Sequence, residues 1–368
     1  MEFDFKSENK AKDLIEIIEN FQLLFKISPP QIKYELLDKS KGLVHQTFYI
    51  KSIEKNINFQ IVHKKTSENS FLSEIISGPL KGTETRMSII KKNEKSIINV
   101  EFKLKLSFSY KIFSSILSKK IKSVNIILFN RLEKFVKFLH NKKYEISFEK
   151  NYEVLIIKLE NKNIFFAGWW LGDISSSFIE NVYNKLSIKD KIIIDVGANI
   201  GDTAISFINS GAKKVIGLEP FPINYKFFKE NVIRNNFENQ IEIIQGGCSS
   251  KSSEILIDPN LSGLSYQMEN KEKVEKINQF SLDELIEKYK ITDGVIKMNC
   301  EGCEYDTIIN TPNNILNKFS QILIQYHNGP EELIEKLESV GFNVMYESYS
   351  NMKGQIFANR VTWKEEED

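Results

Sequence analysis

Apolar positions recur along this chain in two regimes. Over the first part they sit on amphipathic spacing. At 10–26 (KAKDLIEIIENFQLLFK), Leu14, Ile17, Ile18, Phe21, Leu24 and Phe25 share one helical face, so the stretch predicts a helix with a core-facing stripe, stopped by Pro29-Pro30. Residues 43–63 predict two strands about a polar turn at Glu54-Lys55-Asn56. Residues 70–77 predict a helix, 78–86 a loop, 97–106 an alternating strand, and 113–140 a helix with lysines outward. The expectation is an N-terminal α+β region over 1–143. Residues 144–168 predict a hairpin turning at Asn161-Lys162-Asn163. Trp169-Trp170 follow, either burying that hairpin or closing over a ligand.

From Lys191 onward the apolar residues form short unbroken runs separated by amphipathic helices. Such runs mark strands buried on both faces. Strands are expected at 192–196, 215–218, 241–245, 254–258, 274–278, 294–299 and 319–326, with a closing hairpin at 342–348 and 354–360. Helices are expected at 178–186, 202–208, 223–235 (opened by Pro222), 282–289 (capped by Ser281, with Glu284 three residues on) and 330–340. Alternation of this kind predicts an α/β fold with a doubly wound sheet, whose ligand lies across the carboxyl ends of the strands.

The turn after the first of these strands narrows the ligand. Gly197, Ala198, Asn199 and Gly201 leave little side chain, so the backbone and the next helix's free N–H groups can approach a bound molecule. Glu219 ends the second strand, 24 residues after Asp195, where an acidic side chain can hold a ribose diol. G-A-N-I-G departs from the dinucleotide fingerprint G-x-G-x-x-G, because Asn199 stands where a pyrophosphate would need glycine. The P-loop pattern is absent as well. A nucleoside without a phosphate tail remains, and S-adenosylmethionine fits. The competing reading is a tight α/β turn with no ligand. Gly246-Gly247-Cys248 at the third strand's tip would leave room for an adenine ring.

Three separated motifs, DVGANIGDT, LEPFPINYKFFKENVIRNN and IKMNCEGCEYD, resemble the FkbM-type family of S-adenosylmethionine-dependent methyltransferases. The resemblance spans roughly 151–360 and none comparable covers the first 140 or so residues. It implies a Rossmann-like seven-stranded methyltransferase sheet with its last strand antiparallel, in a domain over 144–368 whose core is 178–360. It implies S-adenosylmethionine as cofactor, held by Asp195, Gly197, Ala198, Asn199, Gly201, Glu219, Pro220, Gly247, Cys248 and Asn299. The acceptor it implies is a hydroxyl of a sugar, glycan or small molecule. In the family one strand tip reads K-x-D-x-E-G. Here it is Lys297-Met298-Asn299-Cys300-Glu301-Gly302, with asparagine for the aspartate. Asparagine hydrogen-bonds but takes no proton as a carboxylate does. The catalytic candidates are therefore Asn299, Glu301 and His327, with Lys297 and Glu304 close by in sequence. A Mg²⁺ variant through Asn299, Glu301 and Asn328 is conceivable, but no metal is expected. A non-catalytic binding module and a nucleic-acid methyltransferase are the alternatives. The N-P-P-[YF] tip common in base methylation is absent.

Composition bounds the rest. The chain has 368 residues, enough for two domains, and net charge +1. Residues 51–150 carry 21 Lys+Arg against 9 Asp+Glu, a net of +12, and residues 151–368 a net of −10. The basic region suits an anionic partner or is a solvated surface. It holds only Arg86 and Arg131 as arginines, which argues against specific nucleic-acid recognition. Cys248, Cys300 and Cys303 imply no disulfide framework and are expected as small packing residues, despite the C-x-x-C. No apolar run reaches membrane-span length, and MEFDFKSENK lacks a signal peptide's apolar segment, so a cytoplasmic location is expected.

Overall fold

The computed structural model describes residues 2–28, 33–38, 41–50, 55–141, 143–259 and 274–360. Two compact units are present. One runs to Lys162 and includes Trp169–Gly172; the other comprises Asn163–Gly168 and the chain from Asp173. The predicted stop at Pro29-Pro30 and Glu54 of the predicted turn lie outside the described residues.

The first unit contains β1 (Glu2–Ser7), α1 (Ala11–Glu19), α2 (Phe21–Ile27), β2 (Lys33–Asp38), β3 (Lys41–Ile50), β4 (Lys55–Ser67), β5 (Ser70–Ile75), β6 (Glu84–Lys92), β7 (Lys95–Lys103), α3 (Ser114–Leu139), β8 (Glu145–Glu149) and β9 (Val154–Lys158). Seven strands form one antiparallel sheet in the order β1-β7-β6-β5-β4-β3-β2. Leu117 and Ile121 of α3 join Ile57, Phe59, Ile75 and Phe102 of the sheet in a common core. A cavity of about 110 Å³ lies among α2, α3 and strands β3 to β6, lined mainly by apolar side chains. Inside it His63 Nδ1 meets Ser73 Oγ at 2.6 Å, and burial pushes the imidazole down to about 4.

Two expectations need correction here. The helix over 10–26 is broken at Asn20, whose Oδ1 accepts the Leu23 N–H and caps a second helix. Residues 70–75 form a strand paired on both edges, not a helix. Phe71 and Ile75, four apart, share a face in either conformation, so spacing alone could not separate the two. Trp169 is fully buried, stacked on Phe135 and Phe148, with its indole N–H donating to the Tyr152 carbonyl. That is the hairpin-burying role.

In the second unit, β10 (Asn163–Ala167) is held by Asn231 and Asn235 of a later helix, which bond its backbone at Ala167 and Phe165. A short α4 (Leu171–Ile174) leads into a π-turn at Ser175–Ile179. No helix covers 178–186. The Ser177 hydroxyl bonds Asp202, and Asn181 takes a left-handed φ of 51°, which ends helical propagation. The remaining elements are β11 (Ile192–Val196), α5 (Asp202–Asn209), β12 (Lys214–Leu218), α6 (Pro222–Arg234), β13 (Ile241–Ile244), β14 (Gly247–Ser249), β15 (Ser253–Ile257), β16 (Glu275–Ser281), α7 (Leu282–Tyr289), β17 (Gly294–Met298), α8 (Cys303–Asn310), α9 (Asn313–Leu316), β18 (Phe319–Tyr326), α10 (Glu331–Ser339), β19 (Asn343–Ser348) and β20 (Gly354–Asn359).

Seven of these strands form a sheet in the order β13-β12-β11-β17-β18-β20-β19. β13, β12, β11, β17 and β18 pair in parallel, and β20 runs against both its neighbours. From β11 the chain winds outward through β12 and β13, then returns to β17 on β11's other side. The carboxyl ends of β11 and β17 thus bound the crevice at which such sheets bind ligands. β14, β15 and β16 form a separate small sheet, so Gly247 and Cys248 open a new strand instead of finishing β13.

Candidate active site

Two groups of side chains occupy these strand ends. The first surrounds the turn after β11. Gly197 has φ +75°, and a Cβ there would lie 2.1 Å from the Asn299 carbonyl oxygen. Only glycine lets the tip of β11 pass that of β17 so closely. The N–H groups of Gly197 and Ala198 both donate to the Leu218 carbonyl at 3.0 Å, pinning the turn to β12. Gly201, at φ +84°, is required by protein packing, since a Cβ would meet the Phe228 ring at 2.2 Å. Asn199 is left-handed; its N–H donates to Glu219 at 2.8 Å and its amide to Asp173 at 2.7 Å.

Acidic groups collect around this turn. Glu219 is buried and its second oxygen accepts the Phe221 N–H at 3.0 Å, while Pro220 between them is half-buried. Burial pushes the Glu219 carboxyl up to about 7 in spite of these bonds. Asp202, bonded by the Ser177 hydroxyl at 2.6 Å, is raised to about 7 by burial and then by the charge of Asp173. Asp195 is fully buried between the Thr203 hydroxyl and the Lys297 ammonium, which also donates to the Gly197 carbonyl at 2.9 Å. Lys297 is the buried cation whose charge acts on both Asp202 and Glu219. Acids outnumber it, so the site favours a ligand that carries positive charge and would hold the raised carboxyls ionised.

The second group lies at the tips of β17 and β18. The Asn299 N–H donates to the Val196 carbonyl at 3.0 Å, fixing the residue beside the glycine turn. Its side-chain oxygen is buried with no hydrogen-bond partner among the described residues. A buried acceptor left unpaired is costly, and a ligand donor would relieve it. Beyond it Glu301 has φ +57° and Gly302 φ +126°. Glu304, fully buried, accepts the N–H groups of Gly302 at 2.6 Å and Cys300 at 3.3 Å and so shapes this reversal.

His327 sits between two carboxylates, Nδ1 at 2.9 Å from Glu304 and Nε2 at 3.3 Å from Glu301. Burial works to lower its pKa, but the hydrogen bonds and charges of Glu301 and Glu304 outweigh it and raise it to about 9. The ring is an imidazolium at neutral pH, with both nitrogens protonated. For Glu301, burial acts upward, but His327 and Lys353 outweigh it and leave the carboxyl below its ordinary value. Glu301 retains 28% side-chain exposure, so it is an ionised carboxylate open to an incoming group.

Of the residues singled out from sequence, the fold brings Asp195, Gly197, Ala198, Asn199, Gly201, Glu219 and Asn299 together around one turn. Glu301 and His327 stand at the adjoining tips. Gly247 and Cys248 lie on β14. Cys248 is buried, and burial pushes its thiol up to about 12. Cys300 and Cys303 are joined in a disulfide across the Glu301-Gly302 reversal, which corrects the expectation of unlinked packing thiols. Asp173, Ser177 and Asp202 were missed as site residues. Asp202 directly follows Gly201 at the head of α5, a position that could have flagged it; Asp173 carries no local signal. No group of three or more His, Cys, Asp and Glu able to hold a metal occurs among the described residues.

Residues 195–344 match the family model described as the methyltransferase FkbM domain. A protein of Sulfolobus islandicus rod-shaped virus 1, named only as uncharacterized protein 158B, is 28% identical over 161 residues, 44% of this chain and 76% of that protein. A Methanocaldococcus jannaschii protein provisionally named a protein N5-glutamine methyltransferase is 29% identical over 167 residues, 44% of this chain and 75% of the relative. A ribosomal protein L11 methyltransferase of Vibrio cholerae is 40% identical over 60 residues, 16% of this chain and 20% of its own length.

Proposed function

We propose that this chain, which carries an FkbM-type methyltransferase domain over residues 195–344, is an S-adenosylmethionine-dependent enzyme that methylates a hydroxyl of a sugar, glycan or small molecule. On this reading the seven-stranded sheet is the Rossmann-like sheet of that family. The observation that carries it is the excess of buried acids at the β11 turn beside the unpaired Asn299 side-chain oxygen. These residues fit a cofactor that is at once a nucleoside and a cation.

Glu219 would accept from the ribose, the backbone of 197–199 would face the nucleoside, and Asp173, Asp202 and Asn299 would offer acceptors to the ammonium end. When bound, the cofactor supplies a methyl group made electrophilic by its sulfonium. The residues of the chain then have two tasks. They hold the acceptor oxygen in line, and they take its proton. Glu301 is the group suited to the second task, being ionised and partly exposed at the strand tip. His327, cationic between Glu301 and Glu304, positions Glu301. Asn299 orients without exchanging protons.

Titration calorimetry with S-adenosylmethionine tests the cofactor; absence of heat would overturn the reading. Incubation with methyl-labelled cofactor and fractionated small-molecule and glycan extracts tests the acceptor. Label appearing only in protein or nucleic acid would move the activity to another substrate class.

A further inference from the structure

Between Phe102 and Leu132 the chain carries seven lysines and arginines and no acidic residue. In the first unit this stretch supplies the end of β7, a 3-10 turn at Phe108–Phe113 and the start of α3. One side of it is core: Leu117 and Ile121 are buried, with Phe113 packed against the same cluster. The other side is exposed and has an unusual make-up. Phe108 is 88% exposed, Ile112 83% and Ile116 46%. Lys105, Lys111, Lys119 and Lys120 are exposed in the same stretch, and the Lys111 ammonium lies 5.7 Å from the centre of the Phe108 ring.

Single exposed apolar side chains are ordinary. Three bulky ones within nine residues, set in an acid-free basic stretch, are not explained by solvation alone. Lysine and exposed aliphatic side chains together match one kind of surface: apolar groups enter the boundary between headgroups and acyl chains, and ammonium groups stay at the anionic headgroups. The bias to lysine suits this diffuse attraction, whereas bidentate reading of individual phosphates favours arginine. Attachment of this kind lies on the bilayer and needs no spanning helix. No helix among the described residues is long and apolar enough to cross a membrane.

We propose that the surface formed by Phe108, Ile112 and Ile116 with Lys105, Lys111, Lys119 and Lys120 docks this protein peripherally on anionic lipid bilayers. The test is sedimentation of the full chain with vesicles of phosphatidylcholine alone and of phosphatidylcholine with about one third phosphatidylserine. Binding is expected to the anionic vesicles, at least about tenfold weaker to the neutral ones, and released by about 0.5 M salt. The paired change Phe108→Ser with Ile112→Ser is expected to lower anionic-vesicle binding about tenfold. Its melting temperature should hold, because both side chains already lie in water. Lys119→Glu with Lys120→Glu is expected to weaken binding without touching the apolar groups. Absence of binding to anionic vesicles, or a serine double variant that binds as the parent does, would overturn the proposal. So would retention on RNA or heparin combined with no vesicle binding, which would assign the surface to an acidic macromolecule.

Discussion

The ammonium of Lys297 lies 2.7 Å from a carboxylate oxygen of Asp195, and the two side chains keep only 2% and 0% of their surface exposed. The pair ties β17 to β11 at the mouth of the crevice, and Lys297 extends the tie to the carbonyl of Gly197. A buried pair contributes little net stability against an apolar substitute, but breaking it leaves a charge stranded. Lys297→Met should therefore cost about 3–5 kcal/mol in urea unfolding. Adding Asp195→Asn should recover part of the loss. A single variant with the parent's unfolding midpoint would show that the pair is not the tie it is taken to be.

Asp202 and Glu219 respond to pH in the opposite sense from carboxylates whose pKa is lowered by an ion pair. Both are raised to about 7, above their unfolded values. Their contribution is thus fully present below about pH 4 and is lost as pH rises through about 7. Asp202→Asn should flatten the decline in stability between about pH 4 and pH 7, an effect of a few kcal/mol at most. Melting curves across that range check it; a decline as steep as the parent's would count against the buried-acid account.

A cationic ligand arriving at these carboxyls should release protons. Calorimetry of S-adenosylmethionine binding near pH 7, in buffers of different ionisation enthalpy, should show up to about one proton released per cofactor bound. Heats independent of the buffer would mean that the acids do not face the bound cation.

Much of the second unit was legible in the sequence because its signals are local. Ile192 to Val196 form an unbroken apolar run, and Ser281 caps α7 by accepting the Glu284 N–H, as its spacing implies. Gly197 was legible too, though its reason was not visible: the missing side chain makes way for the Asn299 carbonyl, supplied from about a hundred residues away. Asp173 escaped for the same cause. Its role comes from the Asn199 amide, a partner that only the fold brings near. His327 was legible as a residue at a strand tip, but its charge was not, since that depends on Glu301 and Glu304 closing on both ring nitrogens.

The three cysteines give a chemical count. The disulfide joins Cys300 to Cys303, and Cys248 is free and buried. Alkylation of the native protein should modify no thiol. Denaturation without reductant should expose Cys248 alone, and denaturation with reductant should expose all three. Intact-mass measurement reads each step, and ready labelling of Cys300 or Cys303 without reductant would contradict the linkage.

The His327 clamp makes a prediction about rate that stability alone would not. Its pKa stands at about 9 against 6.5 in the unfolded chain. Its stabilising contribution is therefore complete below about pH 6.5 and lost as pH rises through about 9. His327→Gln keeps a hydrogen-bonding side chain but removes the charge. It should flatten the alkaline loss of stability expected of the parent. The same cation also holds Glu301 ionised, so its removal should let that carboxyl's pKa rise. If Glu301 takes the acceptor's proton, the acidic limb of the kcat/KM profile should move to higher pH in His327→Gln, with cofactor affinity little changed. In Glu301→Gln that limb should vanish and turnover should fall about 10²–10⁴-fold. A profile whose acidic limb stays in place in both variants would remove Glu301 as the base. It would leave Asn299 and the geometry of the strand tips as the chain's contribution to transfer.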